Sequence, residues 1–145
     1  MAGNATPIFS RIGALGANTY PSGANTIITQ TVSDYTGTGA NNFTIFTADA
    51  TNGGFVQRVR LKAAGTNTVA VARIYINNGG ASTAANNWMY GEVSLPGTTA
   101  STTSATTDVD YPLNFALPPG YKIICGISGG ISTGGWAVSV IGGAY

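Results

Sequence analysis

The chain has few of the side chains that enzymes use for chemistry. Its 145 residues include no histidine and one cysteine, with six Lys and Arg against five Asp and Glu. Without histidine the chain lacks the commonest general base and the commonest metal ligand. A lone cysteine without histidine also leaves a zinc site without its usual ligands. We therefore expect no cofactor, no metal centre and no enzymatic activity.

The same scarcity excludes several partners and covalent links. Cys125 has no second cysteine to pair with, and its apolar setting, KIICGIS, predicts a buried and unreactive thiol. A net charge of +1 is too small to draw the chain to nucleic acid. The beginning of the chain has no basic segment followed by an apolar run, so we expect no secretory signal. No apolar run is long enough to span a bilayer, so we expect no membrane partner.

Low charge also bears on how the surface is built. Only 8% of the residues are charged, whereas about a quarter is usual in soluble domains. Two interpretations stay open: an extracellular all-β protein with a Thr/Asn/Ser surface, or a subunit that is packed against others. Because the chain has too little charge for copies to repel one another strongly, we expect self-association, as a dimer or a trimer.

The first 25 residues differ from the rest. They are rich in Gly, Ala, Asn, Ser and Pro and keep no period of 2 or 3.6. We interpret residues 1–25 as an extended N-terminal arm that lies on another surface, with Ile8, Phe9 and Arg11 among its candidate anchors. A frayed terminus is the alternative.

From residue 26 onwards, apolar and polar residues alternate in short stretches. Turn signals rich in Gly, Pro and Asn separate them every 8–14 residues, and no stretch has a helical period. Such spacing predicts one all-β domain over 26–145, an antiparallel β-sandwich of about eight strands. A jelly roll fits this strand count, while an immunoglobulin-like sandwich stays open. The predicted strands cover 26–32, 42–48, 55–64, 68–76, 88–95, 108–117, 121–128 and 136–145.

Two carboxylates in one strand form the nearest approach to a reactive group. Asp108 and Asp110 project from the same face, about 7 Å apart by the strand rise. A pair at this spacing suits glycoside hydrolysis in principle, or calcium binding with oxygens of the preceding Thr-rich loop. We favour a solvated strand face with two acids, and no calcium-loop motif is present. The sequence also contains no phosphate-binding loop.

Aromatic residues offer another candidate site. Trp88, Tyr90, Trp136 and Tyr145 can stack on the apolar faces of sugars. The alternative is that they close the ends of a sandwich core.

The cations are unevenly distributed. Arg58, Arg60 and Lys62 alternate along FVQRVRLK and therefore form a row opposite Val59 and Leu61. A hairpin of 55–64 with 68–76 through GTN would add Arg73 to this row.

Opposite charges in two separate rows indicate docking. Asp108 and Asp110 form an acidic row, and two short rows of opposite sign suit a complementary neighbour, such as another copy. The alternative is that the cationic row keeps a strand face wet and blocks aggregation. So few cations, with few aromatic residues between them, are a poor basis for binding nucleic acid.

The order of four segments resembles a known group of proteins. RVRLKAAGTNTVAVARIYINNG, YGEVSLP, DYPLNFALPPGYKI and GWAVSVIGGAY together are similar to small β-sandwich virion proteins of tailed bacteriophages, of which head decoration, or cement, proteins are the best understood. The resemblance covers about residues 40–145.

This resemblance implies a structural and non-enzymatic role. The expected protein is made in the host cytoplasm and then binds the major capsid protein on the outer surface of the head, which it stabilises. The docking candidates are Ile8, Phe9, Arg11, Arg58, Arg60, Lys62, Arg73, Asp108 and Asp110. A fibre or tail component, or a lectin-like module that binds a host glycan, is the alternative.

Overall fold

The computed structural model describes residues 12–16, 26–29, 31–32, 34–129 and 134–145. These residues form strands and loops without a helix, so none of them lies in a helix that could span a membrane. The strands are β1 (Ile12–Gly16), β2 (Thr26–Ile28), β3 (Phe43–Thr47), β4 (Gly54–Ala63), β5 (Ala70–Asn77), β6 (Asn87–Leu95), β7 (Asp108–Leu117), β8 (Lys122–Gly129) and β9 (Trp136–Ala144).

The strands pair in a nested order that defines a jelly roll. In antiparallel pairs, β2 lies next to β9, β3 next to β8, β4 next to β7 and β5 next to β6. This is the pattern of one long hairpin rolled into two sheets. One sheet has the order β1-β9-β4-β7, with β2 also on β9, and the other has the order β3-β8-β5-β6. The predicted antiparallel sandwich is confirmed.

The first part of the chain contributes to the edge of one sheet. Residues 12–16, within the predicted arm, form β1 against residues 140–144 of β9, and β2 continues along residues 136–138. We call the sheet that contains β9 the first sheet and the sheet that contains β8 the second sheet.

The core lies between the two sheets and follows the alternation of the sequence. Val59 and Leu61 of β4 face Ile74 of β5 and Ile123 of β8 across the interior, and all four are fully buried. Burying one such side chain stabilises the fold by about 1.5–3 kcal/mol relative to leaving it in water.

A bulge interrupts the alternation of β4. Against β9, Val56 pairs with Gly142 and Arg58 with Ile141, so Gln57 is an extra residue in this ladder. An extra residue reverses the side-chain phase. For this reason Val56 is buried together with Val59, although strict alternation predicts that it shares a face with Arg58.

Two edge strands lie on the same side of the sandwich. β6 ends the second sheet and β7 ends the first. The register of β6 shifts beside Gly91, where Tyr90 is the extra residue. Pro112 lies within β7, an edge strand, as its missing N–H requires.

The predicted hairpin of 55–64 with 68–76 is wrong. β4 pairs with β7 and β9, whereas β5 pairs with β6 and β8 in the other sheet. The turn GTN therefore crosses between the sheets. Asn67 fixes this crossing, because its side chain donates to the Gly135 carbonyl and accepts from the Gly135 N–H at 3.0 and 2.8 Å.

Candidate functional site

The cationic row and the acidic row meet within one chain. Strands β4 and β7 are neighbours, so Arg60 is paired in register with Asp110 and Lys62 with Asp108. The Arg60 guanidinium lies 2.7 Å from the Asp108 carboxylate, and Lys62 Nζ lies 3.1 Å from it. Arg58 Nε lies 3.7 Å from Asp110, beyond hydrogen-bonding distance. We call these five residues the ion-pair ladder.

The ladder satisfies much of its own charge. Hydrogen bonds from Lys62 and from Arg60 lower the pKa of Asp108, although partial desolvation opposes them. A contact of the acidic row with another copy was one expectation, whereas in the structure this row lies beside the cations of the same chain. Because the ladder is about half exposed, each pair contributes only about 0–1 kcal/mol.

Arg73 does not belong to this row. It lies on the outer face of the second sheet and is buried, with its Nε donating to Glu92 of β6 at 2.8 Å. Its Nη1 donates to the Asp34 carbonyl at 3.1 Å, and its guanidinium carbon lies 3.8 Å from the centre of the Tyr35 ring. Arg73 was placed on the docking face because β4 and β5 were expected to form a hairpin.

A loop of the chain itself covers this outer face. The Asp34 carbonyl accepts from Arg73 and from the Tyr75 hydroxyl at 3.0 Å, and Asn87 donates to the Gly37 carbonyl. The Gly37 backbone, at a φ of +70°, lies so close to the Tyr75 ring that a side chain at this position has no room. We call residues 34–42 the covering loop.

The Asp34 carboxylate organises the covering loop. Burial alone would raise its pKa, but hydrogen bonds from Asn42, Gly39, Thr38 and Thr36 lower it to about 2. At neutral pH the carboxylate is therefore ionised and is used entirely by its own loop.

The other acids are engaged as well. Asp49 accepts from the N–H groups of Thr51 and Asn52 in a turn, and these bonds lower its pKa. Together with Asp34, Glu92, Asp108 and Asp110, it completes the five carboxylates of the chain, and each has a partner in the chain. Within the described residues no three His, Cys, Asp or Glu side chains come close enough to hold a metal ion. Asp108 and Asp110 thus act as partners for cations.

Two other sequence candidates lie in the interior. Cys125 is fully buried, as predicted, and burial raises the pKa of its thiol to about 12. Trp136 is also fully buried, so it is not available to stack on a sugar. It occupies the core because β9 is a central strand between β4 and the edge formed by β1 and β2.

Large exposed apolar side chains concentrate along β6. Three consecutive residues, Trp88, Met89 and Tyr90, are 46%, 40% and 42% exposed, and Val69, beside the other end of β6, is 71% exposed. Tyr35 covers Arg73, the partner of Glu92 on β6. We call the five exposed apolar residues the β6 edge patch: Tyr35, Val69, Trp88, Met89 and Tyr90. Within the described part of the chain, one other large apolar side chain, Ile27 on β2, is exposed.

Aromatic contacts join this patch to β7. The Tyr90 ring lies 5.2 Å from Phe115 and 6.4 Å from Tyr111, measured between ring centres. Gly91 leaves the space that the Tyr111 hydroxyl occupies. The two sheets are therefore held together along this side, while Trp88 and Met89 stay open to solvent.

Trp88 and Tyr90 were expected as aromatic candidates, but the β6 edge patch as a whole was not predicted. The available signal was the run WMY, where three large apolar residues replace the alternation of a half-buried strand. The arm candidates Ile8, Phe9 and Arg11 lie outside the described residues.

Comparison of the chain with protein-family models, with curated proteins and with solved structures finds no match.

Proposed function

We propose that the chain is a structural virion protein of a tailed bacteriophage, most specifically a decoration protein that binds the outside of the head. The proposal starts from the sequence resemblance over about residues 40–145. The observation that carries it further is the engagement of all five carboxylates by neighbours in the same chain. A molecule with its acids so committed, and without histidine, is equipped to bind and not to catalyse.

The proposed mechanism is mechanical. A jelly roll bridges adjacent capsid subunits and buries apolar and neutral polar surface at each joint. Each contact is weak, but repetition over the shell multiplies the effect, because binding at one joint raises the local concentration at the next. The major capsid protein is the proposed partner, and the outer surface of the head is the proposed location.

The arm retains its proposed role in docking. Residues 12–16 lie along β9 as β1, and the residues before them carry the candidate anchors Ile8, Phe9 and Arg11. We propose that these anchors contact the shell or a neighbouring copy.

The ion-pair ladder suggests how much of the docking is electrostatic. To bind an acidic capsid surface, Arg60 and Lys62 must first leave Asp108, at 2.7 and 3.1 Å. The cost of breaking these ion pairs therefore reduces the favourable free energy of such docking. We propose that apolar and neutral polar contacts contribute most of the affinity, and that rebinding to stripped heads is nearly independent of salt.

Electron microscopy of purified phage particles, with and without this protein, tests the location. The proposal requires additional density of the size of one jelly roll on the head exterior, which disappears when the protein is omitted and returns when it is added back. Density at the tail or the fibres, or no difference at all, contradicts it.

A glycan-binding module is the second candidate, and one observation favours it. Trp88 and Tyr90 are half exposed, and Trp88 lies beside Tyr121 with ring centres 6.3 Å apart. A glycan array separates the two functions. Specific binding that Trp88→Ala abolishes, and that Ile27→Ala leaves intact, would favour the glycan function over decoration.

A further inference from the structure

We propose that a second copy of the chain binds along the free edge of β6, in antiparallel orientation and centred on Val93. The second sheet of one copy then continues into the second sheet of the other. This inference is independent of the proposed function, because it concerns the isolated protein and requires no phage particle.

The first argument is the open edge. Among the described residues β6 pairs with β5 alone, so one side of a nine-residue strand has unpaired N–H and C=O groups. A long edge strand with exposed apolar side chains is a template for another strand. β6 contains no proline and no cation that would oppose such pairing.

The second argument is charge. The one ionised side chain of β6, Glu92, already has a partner in Arg73 at 2.8 Å. Pairing centred on Val93 places Glu92 opposite Ser94 of the other copy, since opposite positions add to the same sum in an antiparallel pair. No two like charges then lie directly opposite each other. The two chains, each with a net charge of +1, have little long-range repulsion.

The third argument is the distribution of apolar residues. Trp88, Met89 and Tyr90 lie at the beginning of β6, and Val69 lies at its end, where its Cγ2 is 3.9 Å from the Cβ position of Gly97. Beyond the ladder of residues 91–95, the extra residue Tyr90 brings Met89 close to Pro96 and Gly97 of the other copy, and therefore toward its Val69. A two-fold axis at Val93 creates this contact twice. The patch is thus complementary to itself, which a symmetric dimer requires.

Pairing over the regular part of β6 is also compatible with the bulge. The extra residue, Tyr90, lies before Gly91, so residues 91–95 can form the new ladder. The N–H and C=O of Thr98 both bond to Asn67, on the side toward β5, so the new ladder does not extend to Thr98.

Sedimentation velocity of the purified chain up to about 100 µM tests self-association, since a Kd near 1 µM leaves mostly dimer there. We expect a dimer for the wild type and at least tenfold weaker association for Met89→Lys. Ile27→Lys is the matched control, because Ile27 is 51% exposed on β2 and should leave the dimer intact. A monomeric wild type, or equal weakening by both variants, overturns the proposal.

Cysteine cross-linking tests the register and does not depend on Met89→Lys remaining folded. Val93→Cys should form a disulfide between copies under mild oxidation, because this residue meets its own copy at the two-fold axis. The control, Ala116→Cys, is exposed on β7 and should not cross-link. The native Cys125 is buried in both variants and stays unreactive. Cross-linking of Ala116→Cys but not of Val93→Cys would assign the contact to β7 and overturn the proposal.

Discussion

Strands β6 and β7 are the edges of the two sheets on one side of the sandwich, yet only β7 is protected. β7 has Pro112, the carboxylates Asp108 and Asp110, and an irregular residue, Asn114, at a φ of +54°. Each of these features hinders the addition of another strand. β6 has one charge, which Arg73 neutralises, and three consecutive exposed apolar side chains.

This contrast between the two edges is the basis of the proposed contact between two copies along β6. Natural β-proteins protect edges that must stay unpaired, and an edge without protection is either covered or used. On β7 both partners of each ion pair are exposed, whereas on β6 the exposed Glu92 is paired with a buried Arg73 and the neighbouring side chains are apolar. The few charges of the chain thus distinguish two edge strands of similar length.

The largest effect should come from the buried Arg73 beside β6. Arg73→Ala removes hydrogen bonds to Glu92 and to the Asp34 carbonyl, and it leaves the Tyr35 ring without its cation. We expect a loss of about 2 to 3 kcal/mol in the free energy of unfolding, measured with urea. Arg60→Ala on the exposed ladder is the control and should cost less than about 1 kcal/mol. Equal losses would mean that the buried Arg73 stabilises the fold no more than the exposed Arg60 does.

A charge introduced at Ser94 of β6 should have the next largest effect. Ser94→Asp places a carboxylate opposite Glu92 of the other copy at two symmetric positions, which should weaken the dimer about tenfold. Ser94→Lys places an opposite charge there and should keep or strengthen it. Sedimentation equilibrium measures both. If the two variants behave alike, the register centred on Val93 is wrong.

The covering loop should give a smaller, pH-dependent effect. The pKa of Asp34 is lowered from 3.8 to about 2 in the folded chain, so its contribution is complete above about pH 4 and is lost as the pH falls toward 2. Asp34→Asn should therefore reduce the stability by about 1 kcal/mol at neutral pH, after allowance for solvent screening. The difference from the wild type should vanish near pH 2. A difference that persists there would require another cause.

The ladder on β4 and β7 should show the smallest effect. A double-mutant cycle of Arg60→Ala and Asp108→Ala should give a coupling of about 0.2–1 kcal/mol that decreases in high salt. The same cycle on Arg73 and Glu92 should give a larger coupling that depends less on salt, since Arg73 is buried. A coupling across the ladder as large as that between Arg73 and Glu92 would remove the distinction between the edges.

The sequence predicted the fold better than the surface. Alternation and turn residues located the strands from residue 26 onwards, because the two buried faces impose a period of two. Alternation does not encode which strands pair, so the crossing at Asn67 was mistaken for a hairpin and Arg73 was assigned to the wrong face. Likewise, the sequence pattern assigns Arg60 and Asp108 to two separate rows of charges, and only the pairing of β4 with β7 brings these residues together.

Backbone hydrogen exchange at low and high protein concentration tests the difference between the two edges most directly. Concentration should slow exchange in residues 91–95 of β6, where a second copy pairs, and should leave residues 108–117 of β7 unchanged. Exchange that is independent of concentration in β6, or slowed equally in β7, would contradict the account.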